Sequence, residues 1–551
     1  MSTAVERPFT DDAAALEREL VLTRDRVGLG RIAAIFMPLV LVGLTTVVHL
    51  IGFARSPMFF DDEGTYASQA WSVTHLHALA PYTYWYDHPP VGWLILDLFE
   101  PLARAAGVHG SLDQARAVMG GVYAITALLV YVVARRFGIR VQFAALAVLL
   151  FAFSPLSLHF QRMVLLDNLA APFVLGAFAL AVAPRRGYWR HPGPVLWMHA
   201  GAGVCLAVAV LCKETTAAFA PALGLLLWRS SHPATRRYAL TVAGSLFVLI
   251  CLYYPLYALL NGEFAPGRGH VSLLGALRWQ LFDRPTSGWL VNRNSLAWQT
   301  VTSWTSLDHY LLLAGVAGMA VCAFSRRTQP LALALAVQMA ILFKPGYLPQ
   351  LFVVASLPFA ALLAAAALDL IWRSSTTHAG WARRRMLPLR LSGPALTIAI
   401  VSASALVVVP SWANSTRHST TDDENAGYRA AISYVLAHVP RTDRVLVDDV
   451  TWMGLIDGGY PRQRAVWMYK LDLDPAVQCR YPDGWRDFDY VVKSGVVTQG
   501  SRTLPETRAA LAHGHAVASF GSGPTALSIL RIDGGSGQRS ATPMAGCAAI
   551  P

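Results

Sequence analysis

Long apolar segments separated by loops of contrasting charge constrain this chain more than any other feature of its sequence. Of its 551 residues, 54% are hydrophobic and only 14% are charged, which is too apolar for a protein with a fully solvated surface. A helix needs to be apolar over about 30 Å to cross the hydrocarbon core. Runs that reach or approach this length lie at 33–53, 115–134, 141–158, 163–183, 238–260, 308–324 and 391–411. The sequence therefore predicts a polytopic α-helical membrane protein.

Two further apolar stretches, 198–228 and 331–371, are longer than one span and are interrupted by charge. Lys213 and Glu214 interrupt the first, and the segment 344–346 (Lys-Pro-Gly) interrupts the second. Arginines flank both stretches on each side, and basic loops remain on the cytoplasmic side. Each stretch must then cross an even number of times, which predicts two helical hairpins and a total of about eleven transmembrane helices.

The loops alternate in charge in a way that predicts their sidedness. The predicted inside loops, each with at least two arginines and no acidic residue, are 134–140, 184–197, 229–237, 325–330 and 372–390. The predicted outside connections contain most of the acidic residues near the membrane, together with Lys213 and Lys344, two of only four lysines in the chain. The formal charge of +12 therefore reflects membrane orientation rather than nucleic-acid binding. We expect a multi-pass plasma-membrane protein, and the strong bias to arginine and alanine favours a bacterial source.

The chain divides into three predicted parts. Residues 1–30 form a polar cytoplasmic segment, and residues 31–411 form the membrane domain, in which the long outside loop 54–114 carries two amphipathic helices at 63–80 and 89–106. Residues 412–551 are predicted to form a small α/β domain, which an odd number of crossings places outside. Its predicted elements are helices at 426–438 and 452–457 and strands at 444–448, near 489–493 and near 526–532. Cys479 and Cys547 could form a disulfide there.

Three consecutive carboxylates, Asp61, Asp62 and Glu63, directly follow the first apolar run, and Tyr66 lies one turn further on. Adjacent like charges at a membrane boundary raise one another's pKa, and ionisable groups at that depth are usually functional. They would serve as a general base or a cation site. The alternative is a helix N-terminus, which also favours acidic residues, and the two interpretations are compatible.

Further candidate residues lie in later outside connections. His88 precedes two prolines, which fix its backbone in a turn. Arg162 and Asp167 flank a predicted hairpin turn and either face a common cavity or form a simple ion pair. Lys213 and Lys344 lie at hairpin tips, where short helices would leave their ammonium groups in a wet cavity suited to phosphate, or where they would extend to the outer interface.

In order and in sidedness these motifs resemble the C-type (GT-C) glycosyltransferases, in particular the protein O-mannosyltransferases and the lipid A aminoarabinose transferases. Asp62-Glu63 is similar to the family's Asp-Glu motif, the segment 88–90 to its His-Pro-Pro, and the segment 162–167 to its Arg-x-x-Leu-Leu-Asp. The resemblance covers roughly the first 220 residues and implies an enzyme that transfers a sugar, with inversion, from a polyprenyl phosphate to an acceptor outside the cytoplasm. The acceptor would be a hydroxyl of a cell-wall glycan, a glycolipid or a protein.

The resemblance also implies roles for the candidate residues. Asp62 would be the general base, with Glu63 holding it and Asp61 as the competing candidate. Arg162, Lys213 and Lys344 would bind the donor phosphate, and His88, Asp167 and Tyr66 would orient the substrates. No cofactor is required by this resemblance, although a divalent metal at the three carboxylates is a further possibility.

Other classes of function compete with this interpretation. Charged residues between helices also mark the substrate pathways of transporters and lipid flippases, which often show two related halves. The sequence contains no such internal repeat. A membrane-anchored receptor whose C-terminal domain is the active part is a third class, but it leaves the acidic first loop without a role. Motifs for nucleotide binding and for soluble hydrolases are absent.

Overall fold

The computed structural model of the protein describes residues 36–182, 192–267, 270–343, 346–377 and 393–533, so the predicted cytoplasmic segment 1–30 lies outside them. Helices dominate up to residue 421. Helices α1 to α8 are Phe36–Leu50, Asp61–Leu76, Val91–Ala105, Ser111–Arg136, Val141–Phe153, Pro155–Gln161, Leu166–Ala181 and Pro192–Cys212. Helices α9 to α16 are Ala220–Ser230, Arg236–Cys251, Tyr253–Leu260, Leu273–Arg278, Leu296–Ala323, Gln329–Ile341, Leu357–Thr377 and Gly393–Thr421.

Several of these helices are long and apolar enough to cross a bilayer. By length and composition six qualify: Ser111–Arg136, Gly193–Cys212, Arg236–Leu260, Leu296–Ala323, Gln350–Ser374 and Gly393–His438. The pair α5 and α6, bent by 67°, would make a seventh as one broken span, and α1, α7 and α14 are shorter apolar helices. The described residues thus have a multi-pass architecture, and the total of about eleven spans stays a prediction.

Each interrupted apolar stretch contains two helices. In the first, α8 ends at Cys212 and a 3₁₀ turn at Glu214–Phe219 leads into α9. In the second, α14 ends at Ile341 and the 3₁₀ segment Gln350–Ser356 precedes α15. Lys213 and Glu214 therefore lie between two helices, whereas Lys344 lies outside the described residues.

The long first loop contains the two helices expected there, α2 and α3, with bounds close to the predicted ones. Between them Tyr82, Tyr84 and Tyr86 are buried, and Pro89 and Pro90 directly precede α3. Proline is favoured at a helix N-terminus because its φ is already helical and the N–H that it lacks would have no partner within the helix.

The C-terminal part forms a five-stranded mixed sheet with flanking helices, which we call the α/β unit (residues 426–533). Its elements are α17 Ala426–His438, β1 Val445–Val447, α18 Asp449–Asp457, β2 Ala465–Trp467, α19 Met468–Leu473, α20 Pro475–Arg480, β3 Tyr490–Lys493, α21 Gly495–Gly500, α22 Pro505–Ala512, β4 Gly514–Phe520 and β5 Leu527–Ile532. The strand order is β2-β1-β3-β5-β4, with β2, β1 and β3 parallel and the other pairs antiparallel. All residues of β1 and β2 are buried, as expected for parallel strands covered on both faces.

The α/β unit and the first loop share one hydrophobic core. Tyr66, Tyr82 and Trp93 of the loop belong to the same buried cluster as Leu446 and Trp452 of the unit. Polar contacts reinforce the junction. Asp457 accepts hydrogen bonds from the backbone N–H of Ser111 (2.6 Å) and from its hydroxyl (2.7 Å), so that α18 caps the start of α4. The two parts therefore form a continuous structure at this boundary.

A buried ion pair between Glu63 and Arg116 joins α2 to α4. The guanidinium donates to both carboxylate oxygens, from Nε at 2.8 Å and from Nη2 at 2.6 Å, and neither side chain has any exposed surface. Nη1 of Arg116 also donates to the carbonyls of Phe53 and Pro57. Such bidentate pairs restrict both distance and orientation, so the pair fixes the start of α2 against the membrane helices.

Replacing Arg116 by Met should destabilise the protein by about 3–5 kcal/mol, because it leaves the buried carboxylate of Glu63 without its counter-charge. Unfolding of the detergent-solubilised protein measures this change. Arg278→Met is the matched control, since the Arg278–Asp283 pair is largely exposed and exposed pairs contribute only about 0–1 kcal/mol. Equal stability of the two variants would contradict the role assigned to the buried pair.

Candidate active site

The three consecutive carboxylates form the first turn of α2, which begins at Asp61 with Phe60 as an extended N-cap residue. The carboxylate of Glu63 accepts a hydrogen bond from the backbone N–H of Phe60 at 3.0 Å. Glu63, the third residue of the helix, therefore binds the backbone N–H of the N-cap residue. A helix repeats every 3.6 residues, so the three side chains point in three directions about 100° apart.

The side chain of Glu63 points into the protein, where both carboxylate oxygens accept hydrogen bonds. Besides Arg116 and Phe60, the backbone N–H of Val164 donates to its Oε2 at 2.9 Å. These hydrogen bonds hold the first turn of α2 in place. This agrees with a holding role for Glu63 and leaves it no lone pair aimed at a substrate.

Asp61 points towards the α/β unit. Its Oδ2 accepts a hydrogen bond from the hydroxyl of Tyr469 at 2.6 Å. Burial raises the pKa of Asp61 to about 8; the Tyr469 hydrogen bond opposes this rise, and the neighbouring Asp448 and Asp62 add to it. At neutral pH much of this carboxyl group is therefore protonated.

Asp62 points in a third direction and is the least constrained of the three. It is half-buried, and the hydroxyl of Tyr66, one turn further along α2, donates to its Oδ2 at a long 3.4 Å. The charge of Asp62 acts on Lys213 and on Tyr66. Its charge also acts on Asp449 and Tyr469 of the α/β unit, so Asp62 lies between the first hairpin and that unit.

His88, Lys213 and Glu214 form a hydrogen-bonded chain beside Asp62. Nε2 of His88 lies 2.9 Å from Nζ of Lys213, and Nδ1 lies 3.0 Å from Oε2 of Glu214. The backbone of His88 is fixed on both sides, because its N–H donates to Asp87 at 3.0 Å and its carbonyl accepts from Tyr84. A charged Lys213 can donate to Nε2 only if that nitrogen is unprotonated, with the ring proton on Nδ1 facing Glu214.

The pKa values in this chain are set by competing effects. Burial lowers the pKa of His88, but Glu214 and Asp87 raise it more than Lys213 lowers it, and the net change is upward. For Lys213, burial lowers the pKa, while Glu214, Asp167, Asp62 and Asp87 raise it above its ordinary value. Lys213 is thus a buried cation held charged by four surrounding carboxylates.

Asp167, at the start of α7, belongs to the same group. It is 4% exposed, and the charges acting on it are those of Lys213, Glu214 and His88. Its Oδ2 is buried without a hydrogen-bond partner among the described residues. The structure therefore brings together five of the predicted residues: Asp62, Tyr66, His88, Asp167 and Lys213.

Arg162 lies in a different environment. Its guanidinium is 2% exposed and donates to the backbone carbonyls of Ser419 at 2.5 Å, Val48 at 2.8 Å and Ser56 at 3.4 Å. The arrangement connects the ends of α1 and α16. Nη1 and Nη2 of Arg162 thus serve packing, whereas its Nε is buried without a hydrogen-bond partner among the described residues. The other predicted cation, Lys344, lies outside the described residues.

Sequence reasoning missed several residues around the three carboxylates. Arg116 stands inside an apolar helix, and Asp449 and Tyr469 come from the distant α/β unit. Glu214 was noted only as an outside charge, although its position next to Lys213 was a usable signal. Arg116 was also detectable, since a lone arginine in a predicted span requires an acidic partner.

The three carboxylates do not fit a divalent metal. Both oxygens of Glu63 already accept hydrogen bonds from Arg116 and from backbone N–H groups. Asp61 and Asp62 point to different neighbours. Among the described residues no group of three or more His, Cys, Asp or Glu side chains is arranged to hold a metal ion.

Comparison with known proteins agrees with the motifs. The model of the family described as "Dolichyl-phosphate-mannose-protein mannosyltransferase" matches residues 87–257, a little under a third of the chain that includes His88, Asp167 and Lys213. No curated protein sequence matches significantly.

Solved structures share the fold over most of the chain. ArnT from Cupriavidus metallidurans bound to undecaprenyl phosphate has a TM-score of 0.54 and 15% identity, covering 91% of this chain and 99% of its own. The Archaeoglobus fulgidus oligosaccharyltransferase AglB with an inhibitory peptide and a dolichol-phosphate has a TM-score of 0.52 and 13% identity, covering 85% and 70%. A structure of the A. fulgidus oligosaccharyltransferase with zinc and sulfate has a TM-score of 0.51 and 13% identity, covering 89% and 72%.

The predicted class is thereby confirmed: the chain resembles the C-type glycosyltransferases in fold and in its matched segment, and it is an enzyme of the glycosyltransferase class. The identities are low, so the structures establish the fold, and the donor and acceptor are considered below.

Replacing Glu214 by Gln should lower the pKa of His88, because the variant removes the carboxylate that raises it most and leaves burial and Lys213, which lower it, opposed by Asp87 alone. Titration of ¹⁵N-labelled histidines by NMR measures the shift, with the His88 signal assigned from a His88→Gln variant. Glu263→Gln is the matched control, since Glu263 accepts a hydrogen bond from Tyr86 rather than from His88. A His88 pKa that is unchanged in Glu214→Gln would contradict the proposed chain.

Proposed function

We propose that the protein is an inverting glycosyltransferase that moves a sugar from a polyprenyl-phosphate donor to an acceptor hydroxyl outside the cytoplasm. The observation that carries this proposal is the position of Asp62, a half-buried carboxylate with one long hydrogen bond, close to the buried cation Lys213. A base can take the proton of the attacking hydroxyl, and a nearby cation can stabilise the negative charge of the leaving phosphate. The pair therefore suits a displacement reaction.

Asp62 is the general base in this proposal. The weak contact to Tyr66 leaves lone pairs of the Asp62 carboxylate free for a substrate. Asp62 removes the proton of the acceptor hydroxyl as its oxygen attacks the anomeric carbon. The bond from that carbon to the phosphate oxygen breaks in the same displacement, so the configuration inverts and polyprenyl phosphate leaves.

Lys213 and His88 stabilise the leaving phosphate. Lys213 is charged, and its hydrogen bond to His88 holds it in a fixed direction. A fixed cation where negative charge develops is more effective than a mobile one, because it needs no reorganisation during the reaction. The side chain of Glu214 is 43% exposed, so it can turn towards solvent when a phosphate approaches His88.

Asp167 and Tyr66 orient the hydroxyl groups of the substrates. Both lie beside the Lys213 group, and the unpartnered Oδ2 of Asp167 is an acceptor suited to a sugar hydroxyl. Arg162 is left out of the donor site because its Nη1 and Nη2 donate to main-chain carbonyls. No step of the proposal requires a metal at residues 61–63.

The expected extracytoplasmic location of the site has separate support. Cys479 in the α/β unit is disulfide-bonded, and disulfides persist in oxidising compartments outside the cytoplasm; Cys547 lies outside the described residues. The arginine-rich loops mark the opposite side. We therefore place the α/β unit and the site on the outer face of a plasma membrane, and we expect a bacterial source.

The fold and the missing nucleotide motifs support the proposed donor class. The related structures contain undecaprenyl phosphate or a dolichol-phosphate, and a polyprenyl phosphate is already in the membrane. The acceptor is a glycan, a glycolipid or a protein. No specific observation on the described residues favours the transporter or flippase alternative.

Asp62→Asn should lower the rate of sugar transfer about 10²- to 10⁴-fold, the usual contribution of a positioned general base. Transfer of radiolabelled sugar from polyprenyl-phosphate donors in membranes measures the rate. Asp97→Asn, on α3 of the same loop, is the matched control and should retain activity, as its carboxylate accepts from Thr74. Full activity of correctly folded Asp62→Asn would rule out Asp62 as the base.

Lys213→Met should raise the KM for the donor and lower kcat, since the variant removes a charge that binds the phosphate and stabilises it as it leaves. Steady-state kinetics with varied donor concentration separate the two parameters. Arg162→Met provides the contrast: we expect lower thermal stability with donor KM unchanged. If Arg162→Met raised the donor KM and Lys213→Met did not, the two roles would be reversed.

A further inference from the structure

We infer that the α/β unit completes the active site by gripping the first turn of α2, with Asp449 and Tyr469 as positioning residues that hold Asp62 at the substrate. This inference rests on the proposed function. It assigns to the C-terminal part a role in the reaction and not only in folding.

The faces of α2 show how the grip works. With about 100° between successive residues, Asp61, Gly64 and Thr65 share one face, Asp62 and Tyr66 share a second, and Glu63 lies on a third. The first face contacts the α/β unit, the second lies near Lys213 and His88, and the third is bound by Arg116. Each of the three faces of α2 is therefore next to a different part of the chain.

The closest contact between α2 and the α/β unit is between their backbones. A Cβ atom built on Gly64 would lie 2.3 Å from the backbone nitrogen of Val450 and 2.4 Å from the carbonyl carbon of Asp449. Such distances are far below van der Waals contact, and main-chain atoms cannot swing aside as a long side chain can. Only glycine permits this approach, so α2 and α18 touch two residues from the proposed base.

Two hydroxyl–carboxylate hydrogen bonds flank this contact. The hydroxyl of Tyr469 donates to Asp61 at 2.6 Å, and the hydroxyl of Thr65 donates to Asp449. One bond runs from the unit to α2 and the other runs from α2 to the unit. Together they restrain α2 against both rotation and sliding, while they leave the carboxylate of Asp62 free.

The position of these residues in the sheet supports a role in the site. Asp449 follows β1 by two residues, and Tyr469 follows β2 by two residues. The two strands are parallel neighbours, so both residues lie at the same edge. The carboxyl ends of parallel strands are where α/β folds place their functional groups.

The protonation of the gripping residues fits this division of roles. Burial and the charge of Asp61 raise the pKa of Asp449 well above its usual range, as burial does for Asp61. The Oδ1 atoms of both are buried without a hydrogen-bond partner among the described residues. The hydrogen bonds of both carboxyl groups join α2 to the α/β unit, which fits a positioning role and leaves proton removal to Asp62.

Two substitutions that each remove one hydroxyl test the grip. Tyr469→Phe and Thr65→Val should lower kcat about 10- to 100-fold, because a small misplacement of a catalytic group costs that much. The donor KM should stay within error of the wild type, and the melting temperature should fall no further than in Tyr481→Phe, which also loses one buried hydrogen bond. Thr65→Ser should restore kcat, since it restores the hydroxyl.

Tyr481→Phe is the matched control for Tyr469→Phe. Tyr481 is buried in the same unit and its hydroxyl donates to the carbonyl of Gln463 at 2.8 Å, so its loss should leave kcat unchanged. Gly64→Ala should reduce kcat as α2 and α18 are forced apart, whereas Gly121→Ala, with no atom within 4 Å, should not.

The outcomes separate the inference from the proposed function. Full kcat in Tyr469→Phe and Thr65→Val, together with an inactive Asp62→Asn, overturns the grip and leaves the proposed function intact. A fall in kcat that Tyr481→Phe shares, or that Thr65→Ser does not reverse, also overturns it. No transfer by the wild type from any polyprenyl-phosphate sugar overturns the proposed function and the inference with it.

Discussion

The buried pair of Glu63 and Arg116 is the constraint on which the site depends. It fixes the start of α2 against α4, so it also fixes the direction in which the two preceding carboxylates point. Removing both charges from water is costly, and only full hydrogen bonding on both sides offsets that cost. Here the carboxylate accepts four hydrogen bonds and the guanidinium also binds two main-chain carbonyls. The first turn of α2 is therefore a rigid platform.

Three adjacent carboxylates acquire three different roles because the helix turns between them. Glu63 is bound in an ion pair, Asp61 is bound to a tyrosine and largely protonated at neutral pH, and Asp62 keeps a half-exposed carboxylate near a cation. The same residue type thus serves as an anchor, a hydrogen-bond group and a proposed base. What distinguishes them is the element packed against each face of α2.

The sequence predicts much of this from periodicity and charge. Apolar runs and arginine loops indicate the helices, and the family resemblance draws attention to Asp62, His88 and Lys213, which the structure brings together. Arg162 shows the limit, since a motif does not reveal that its Nη1 and Nη2 donate to main-chain oxygens. The strands β2 and β4 were missed because a three-residue strand and an exposed edge strand lack a clear alternating pattern. The contacts of Asp449 and Tyr469 with α2 could not be predicted, because no local sequence pattern connects these residues to a loop almost 400 residues earlier.

The shared core of the first loop and the α/β unit has a consequence for biosynthesis. The first turn of α2 is synthesised early. The α/β unit that contacts it is synthesised only after the intervening helices. Contacts of such long sequence separation form late in folding. The nascent protein therefore carries its acidic turn through synthesis without the partner surface, and the proposed site is complete only when the α/β unit has been synthesised and folded.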